Sequence, residues 1–142
     1  MVVDKLPPWT PIDGSVLTHA ALGSVVSVVL VTGGPYMSAV GGAVGAYLHG
    51  GDRNAGKTIG LLAGLIASAM IFLFQVPAFV FLVLIYGLPL EAIVLLLVIL
   101  GPFLFLLHVV QIAASILGGR LGSDYANRNS SRPPAEPTAE RE

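Results

Sequence analysis

Residues 58–119 read TIGLLAGLIASAMIFLFQVPAFVFLVLIYGLPLEAIVLLLVILGPFLFLLHVVQIAASILGG and hold a single formally charged side chain, Glu91. Soluble domains average roughly 25% charged residues, whereas the whole 142-residue chain has 11% charged and 55% hydrophobic residues. A water-soluble core is incompatible with that balance, so the sequence predicts an all-α integral membrane protein whose first partner is the lipid bilayer. Its length leaves room for one domain of a few spanning helices.

A spanning helix needs about 20 apolar residues. Working outward by charge and by glycine and proline punctuation, the chain divides into four hydrophobic segments. The first, residues 15–32, stops at Gly33-Gly34-Pro35, two flexible residues followed by one without an N–H. The second, residues 36–49, amounts to roughly 21 Å of helix, short for a crossing and compatible with a re-entrant turn. The third starts near Asn54 and runs past Ser68 to Gln75, where Val76-Pro77 is expected to kink it, and Ala78 to Tyr86 either continue the same bent helix or form a short second piece. The fourth runs from Pro89 to about Gly119, with an interruption expected at Gly101-Pro102. Residues 1–13, carrying Trp9 at headgroup level, form an aqueous arm. Residues 14–121 form the four-helix transmembrane domain, and residues 122–142 a disordered cytoplasmic tail too polar to bury a core.

Positive charge chooses between the two readings of the second segment. If it crosses, Lys5, Arg53, Lys57, Arg120, Arg128, Arg132 and Arg141 all share one side, and the loops at 33–35 and 87–88 carry none. If it turns back, Lys5 ends opposite Arg53 and Lys57. The positive-inside rule favours the first arrangement: a multi-pass protein of the cell membrane, four spans, both termini cytoplasmic.

Small residues recur every four positions. Ser38, Gly42, Ala46 and Gly50 form one row, Gly56, Gly60, Gly64 and Ser68 a second, and Ala114, Gly118 and Gly122 a third. Lipid supplies no hydrophobic force between helices, so close backbone approach over such faces holds them together. With a short intervening loop, segments two and three are expected to form a tight hairpin packed glycine face to glycine face. The same rows also suit self-association into a homo-oligomer. An internal echo accompanies them: Val40-Gly41-Gly42-Ala43-Val44-Gly45 resembles Leu117-Gly118-Gly119-Arg120-Leu121-Gly122, followed by Tyr47 and Tyr125 respectively. A parallel repeat of two hairpins would produce it, and so would glycine-rich composition.

Gly51-Asp52-Arg53-Asn54-Ala55-Gly56-Lys57-Thr58 matches the phosphate-loop consensus. That loop functions between a strand and a helix, whereas here a glycine-rich helix precedes it, so no nucleotide is expected. Intramembrane ionisable groups are functional candidates by default, and the chain offers His19, Glu91, His108 and the neighbouring amide Gln111. Glu91, just after Pro89, suits the first turn of a helix. The histidines and Gln111 suit interhelical hydrogen bonds, or together with Glu91 a polar path. With no cysteine, thiolate chemistry and disulfides are absent. Seven basic residues against eight acidic ones leave no nucleic-acid footprint. No cofactor, metal or catalytic constellation is recognisable.

The run Gly41-Gly42-Ala43-Val44-Gly45-Ala46-Tyr47-Leu48-His49-Gly50-Gly51-Asp52, continuing through Gly56, Gly60 and Ala63-Gly64-Leu65-Ile66, resembles the core of a family of small uncharacterised four-helix membrane proteins from halophilic archaea. Val76 to Tyr86 departs from that pattern, with bulky apolar residues in place of a glycine-rich linker. The resemblance implies a four-helix membrane domain and no particular activity. Two functions are consistent with all this: a non-enzymatic structural or accessory membrane protein packed through glycine faces, and a small oligomeric channel or carrier with its path near His19, His108, Gln111 and Glu91.

Overall fold

The computed structural model describes residues 13–131; residues 1–12 and 132–142, with the features assigned to them above, lie outside that range. Four α-helices follow one another: α1 Gly14–Val29, α2 Ser38–His49, α3 Arg53–Tyr86 and α4 Leu90–Ser130, with 3-10 turns at Leu30–Gly33 and Pro35–Met37 between the first two. No strand occurs among the described residues. Three glycines with positive φ make the reversals: Gly34 at 108°, Gly50 at 68° and Gly87 at 56°. A side chain there would be strained.

Carboxylates start two of the helices. The Asp13 carboxylate accepts the Val16 N–H and the Ser15 hydroxyl, both at 2.8 Å, and Asp52 accepts the Ala55 N–H at 2.8 Å. Each satisfies a donor that a helix N-terminus leaves free. The Val16 N–H, and after it the Ser15 hydroxyl, hold the Asp13 carboxyl below its ordinary 3.8. Because the folded value is the lower one, the cap is fully in force above the unfolded value and is lost as pH falls through the folded value. The Val16 amide is therefore expected to keep its slow hydrogen exchange at pH 5 and to lose it below the ordinary carboxylate range. In Asp13→Ala the exchange is expected to be fast at both.

At 1.5 Å per residue, α3 extends about 51 Å and α4 about 61 Å, against about 24 Å and 18 Å for α1 and α2. Among the described residues, only α3 and α4 are long and apolar enough on their own to cross a membrane. Helix α3 continues through Pro77 to Tyr86, the continuous one of the two expected alternatives, and α4 continues through Gly101-Pro102, where an interruption was expected. A proline within a helix removes one hydrogen bond and crowds one carbonyl, and long helix on both sides outweighs that loss. Both rings face the exposed side, clear of neighbouring helices.

The boundary of the tail also needs correction. Residues 122–130 belong to α4, and Gly122, Ser123 and Ala126 are buried there. The residues are polar or small because they fit against α2 and α3, not because they are unfolded. Arg53 reaches Asp124 at 3.7 Å across this end.

Helices α1 and α4 lie on opposite sides of the central α2–α3 pair. All four share the part of the molecule below the contact of Ser38 with Gln111, where the Ser38 hydroxyl donates to the Gln111 carbonyl at 2.6 Å. Beyond it only α3 and α4 continue, as a two-helix arm: the buried residues of α3 end at Ala67 and those of α4 begin at Gln111. The interior of the four-helix part is built from small side chains, with Ile59 and Val16 the bulkiest that are fully buried. Large apolar side chains point outward, among them Leu73 and Phe105, each 70% exposed. Soluble monomers rarely show contiguous apolar patches above a few hundred Å², so this inverted distribution suits an apolar solvent.

Candidate functional site

The glycine rows of α2 and α3 do not face each other, which corrects the expected hairpin packing. Both turn toward α4. A β-carbon on Gly42 would run into the Ser115 carbonyl, and one on Gly56 into the Gly119 carbonyl and the Ser123 hydroxyl. Gly60 and Gly64 likewise approach Ser115, Ile116 and Ile112. From α4, Gly118 and Gly122 abut the backbones of Ala39 and Ala43. Helix α4 can meet two neighbours because it carries two offset rows. One is Gly118 and Gly122; the other, Gln111, Ser115, Gly119 and Ser123, is buried throughout and was missed in the sequence although its spacing is also four.

Other members of the predicted rows take different roles. Ala46 joins Val16, Ala20 and Ile59 in the small apolar core. Gly50 has open space around its α-carbon and serves the left-handed end of α2, so it belongs to the turn and not to a packing face. Ala114 is only half-buried, beside the row instead of in it. Helices α1 and α2 approach closely at Gly23 and Gly41, where a β-carbon on Gly23 would lie 2.6 Å from the Gly41 carbonyl oxygen.

The two echoing segments are neighbours in space. Their helices run parallel, with Gly118 at Ala39, Gly122 at Ala43, and the Tyr47 and Tyr125 rings 5.9 Å apart. Whatever its origin, the echo presents two similar surfaces to each other.

The candidate polar residues are dispersed. His19 stacks edge-on against His49, ring centres 5.4 Å apart, and its Nδ1 is 2.7 Å from the Ser15 carbonyl oxygen; both lie near the charged end. Glu91 occupies the first turn of α4, at the opposite extreme. Gln111 is buried inside the bundle at 4% exposure, and among the described residues its Nε2 has no partner, nor does the hydroxyl of Ser115 one turn later. His108 lies half-buried between the long helices. Its Nδ1 is 2.7 Å from the Ser68 hydroxyl, its Nε2 3.2 Å from the Gln75 side-chain oxygen, and the Phe72 ring stands edge-on at 6.4 Å. No single surface joins His19, Glu91, His108 and Gln111.

The Ser68–His108–Gln75 chain is the most developed polar feature of the arm. Sequence reading placed Ser68 in a packing row and treated Gln75 only as an end point. Their separation of seven puts them on one helix face, a signal that was present. The pairing with α4 depends on the helical register, which no local pattern reveals. This polar chain borders a cleft of about 680 Å³ between α3 and α4, walled by side chains such as Phe72, Phe79, Leu97 and Phe105.

At the loop resembling a phosphate cradle, the groups are engaged with one another. Asp52 occupies the helix N-terminus, Lys57 Nζ lies 3.3 Å from the Asn54 side-chain oxygen, and Thr58 donates to the Asn54 carbonyl at 3.1 Å. The element before it is α2, not a strand.

Fold and site thus define an all-helical protein with two helices able to cross a membrane and a polar chain between them. The chain belongs to a family of unknown function, DUF5518, whose model matches residues 17–124. No curated protein and no solved structure matches it.

Proposed function

We propose that this is a multi-pass integral membrane protein with a structural or accessory role and no catalytic activity, held together by its small-residue faces. The observation that carries this reading is the inverted distribution of side chains. Glycine, alanine and serine fill the helix contacts, while leucine, valine and phenylalanine cover the outside. In lipid, where burying leucine gains nothing, close approach of backbones is the available source of cohesion. The engaged loop at residues 51–58 supports a role without nucleotide. The dispersion of the polar residues weighs against the channel or carrier reading within one chain.

The topology we infer has four crossings and both termini on the cytoplasmic side. Among the described residues, Arg53, Lys57, Arg120 and Arg128 gather at one end, around the Arg53–Asp124 pair. The α1–α2 turn and the α3–α4 turn carry no positive charge, in keeping with the positive-inside rule. Helix α1 and its 3-10 extension together measure about 32 Å, close to the roughly 30 Å of a hydrocarbon core. Pro77 lies about 30 Å along α3 from Lys57, and Gly101 about 29 Å along α4 from Arg120. From Lys57 to Tyr86 and from Arg120 to Leu90 each long helix measures about 45 Å, more than the hydrocarbon core, and the excess is accommodated by tilt.

Single cysteines in this cysteine-free chain test the topology. With an impermeant thiol reagent on intact cells, Tyr36→Cys and Glu91→Cys are expected to label and Arg53→Cys to remain protected. Protection at 36 with labelling at 91 would make the α1–α2 hairpin re-entrant and overturn the four-span reading. Labelling at 53 alone would invert the orientation.

A further inference from the structure

The arm contains one place where polar groups and an apolar cleft meet. His108 sits about 18 Å along α4 from Arg120, near mid-depth for a protein oriented as above. A single tautomer accounts for both of its contacts: the Ser68 hydroxyl donates to Nδ1, and Nε2–H donates to the Gln75 oxygen. That assignment leaves the Gln75 NH2 group, with two donors and, among the described residues, no acceptor. Gln75 is half-buried and lines the cleft together with His108 and Ser68.

An amide with free protons at that depth is costly, because lipid chains offer it no acceptor. If the polar chain existed only to join α3 to α4, serine and histidine would suffice. Gln75 adds two donors to the lining of the cleft. The walls are aromatic and aliphatic, and they run from Ile112 to Leu96 along α4, about 24 Å. The volume is that of a small-molecule site, and such sites combine apolar walls with a few placed polar groups.

We propose that the α3/α4 cleft binds a neutral, long-chain lipid bearing a carbonyl acceptor, of the isoprenoid quinone class, with its carbonyl oxygen accepting from Gln75 Nε2 and its tail lying along Phe72, Phe79 and Phe105. Three features select this chemistry. The mid-depth position excludes ionic headgroups, which stay at the interface. The free groups are donors, so the ligand supplies an acceptor. The elongated cleft fits a chain, and the aromatic walls fit a flat conjugated head. The binding site rests on the membrane reading above, yet it is tested separately, since the experiment does not depend on how many times the chain crosses or in which orientation.

The probe is a benzoquinone with a ten-carbon tail, titrated into the purified full-length protein in detergent and followed by native mass spectrometry. One quinone is expected to be retained per chain. Gln75→Met, which keeps length and removes the donors, is expected to weaken retention about tenfold, the worth of one buried hydrogen bond. His108→Leu, which frees Gln75 from its orienting partner, is expected to do the same. Thr18→Val on the exposed side of α1 is expected to change nothing. A ten-carbon alkylbenzene without carbonyls is expected to compete poorly. Absence of retention, equal retention by Gln75→Met, or equal competition by the hydrocarbon would each overturn the proposal. Helix content by circular dichroism establishes that Gln75→Met is folded, so the test stands even if His108→Leu does not fold.

Discussion

Gly118→Val is expected to be the most damaging small substitution in the four-helix part. The new β-carbon would occupy the space of the Ala39 carbonyl and its neighbouring backbone atoms, so α2 and α4 would have to separate. A backbone has no rotamer to yield, unlike a side chain. Overpacking of this kind costs about 1–3 kcal/mol where relaxation is possible, and here the displaced contact continues at Gly122 and Ser115. Gly101→Ala is the matched comparison. Gly101 has nothing within 4 Å of a β-carbon and lies inside α4, where alanine is preferred by roughly 0.5–1 kcal/mol. Unfolding in mixed micelles, followed by circular dichroism, is expected to give a lower midpoint for Gly118→Val and an unchanged or higher one for Gly101→Ala. Equal midpoints for Gly118→Val and the parent would mean that the α2–α4 contact carries no stability.

Leu97→Arg is the second large effect. Leu97 is 54% exposed, in the longest uncharged run of α4, with no acidic side chain within a helical turn on either side. In the bilayer reading it borders the cleft within the hydrocarbon, where an arginine costs up to roughly 2.5–3.5 kcal/mol on insertion scales. That corresponds to about a hundredfold shift in the inserted fraction. Leu121→Arg places the same charge beside Arg120 at the charged end, where the side chain reaches the interface and the cost is small. Glycosylation mapping of α4 is expected to show impaired insertion for Leu97→Arg and normal insertion for Leu121→Arg. Normal insertion of both would place the arm outside the hydrocarbon.

The two substitutions probe different parts of the molecule, and the parts were legible to different degrees. The arm was readable because the absence of charge over residues 58–119 is a property of composition and needs no partner. Its continuity was only partly readable. Pro77 looks like a kink and Gly101-Pro102 like an interruption when judged locally, yet a proline removes one hydrogen bond and crowds one carbonyl, set against the many bonds that long helix on either side retains. Local signals also misplaced the tail. Gly122, Ser123 and Ala126 resemble a polar, flexible segment until α2 and α3 are placed beside them.

The candidate site shows the same division. His108 stood out as an ionisable residue in an apolar stretch, and it is the centre of the polar chain. Gln75 and Ser68 did not stand out, because each is ordinary on its own helix. They acquire meaning only at the register in which α3 lies against α4. Conversely His19, Glu91 and Gln111 looked like companions of His108 in the sequence, and the fold sends them to the charged end, the far tip and the buried interior.

Sequence by itself determined the helical character, the apolar surface, the turns at Gly34, Gly50 and Gly87 within a residue or two, and the residues small enough to permit close approach. These depend on side-chain chemistry and on patterns no longer than a few helical turns. Only the tertiary structure decided which faces meet. A glycine row allows contact with any helix of complementary shape, and the period of four recurs on α2, α3 and twice on α4. Specific partners were therefore chosen by the geometry of four helices packing at once: α4, with two offset small faces, is the helix that can satisfy both α2 and α3.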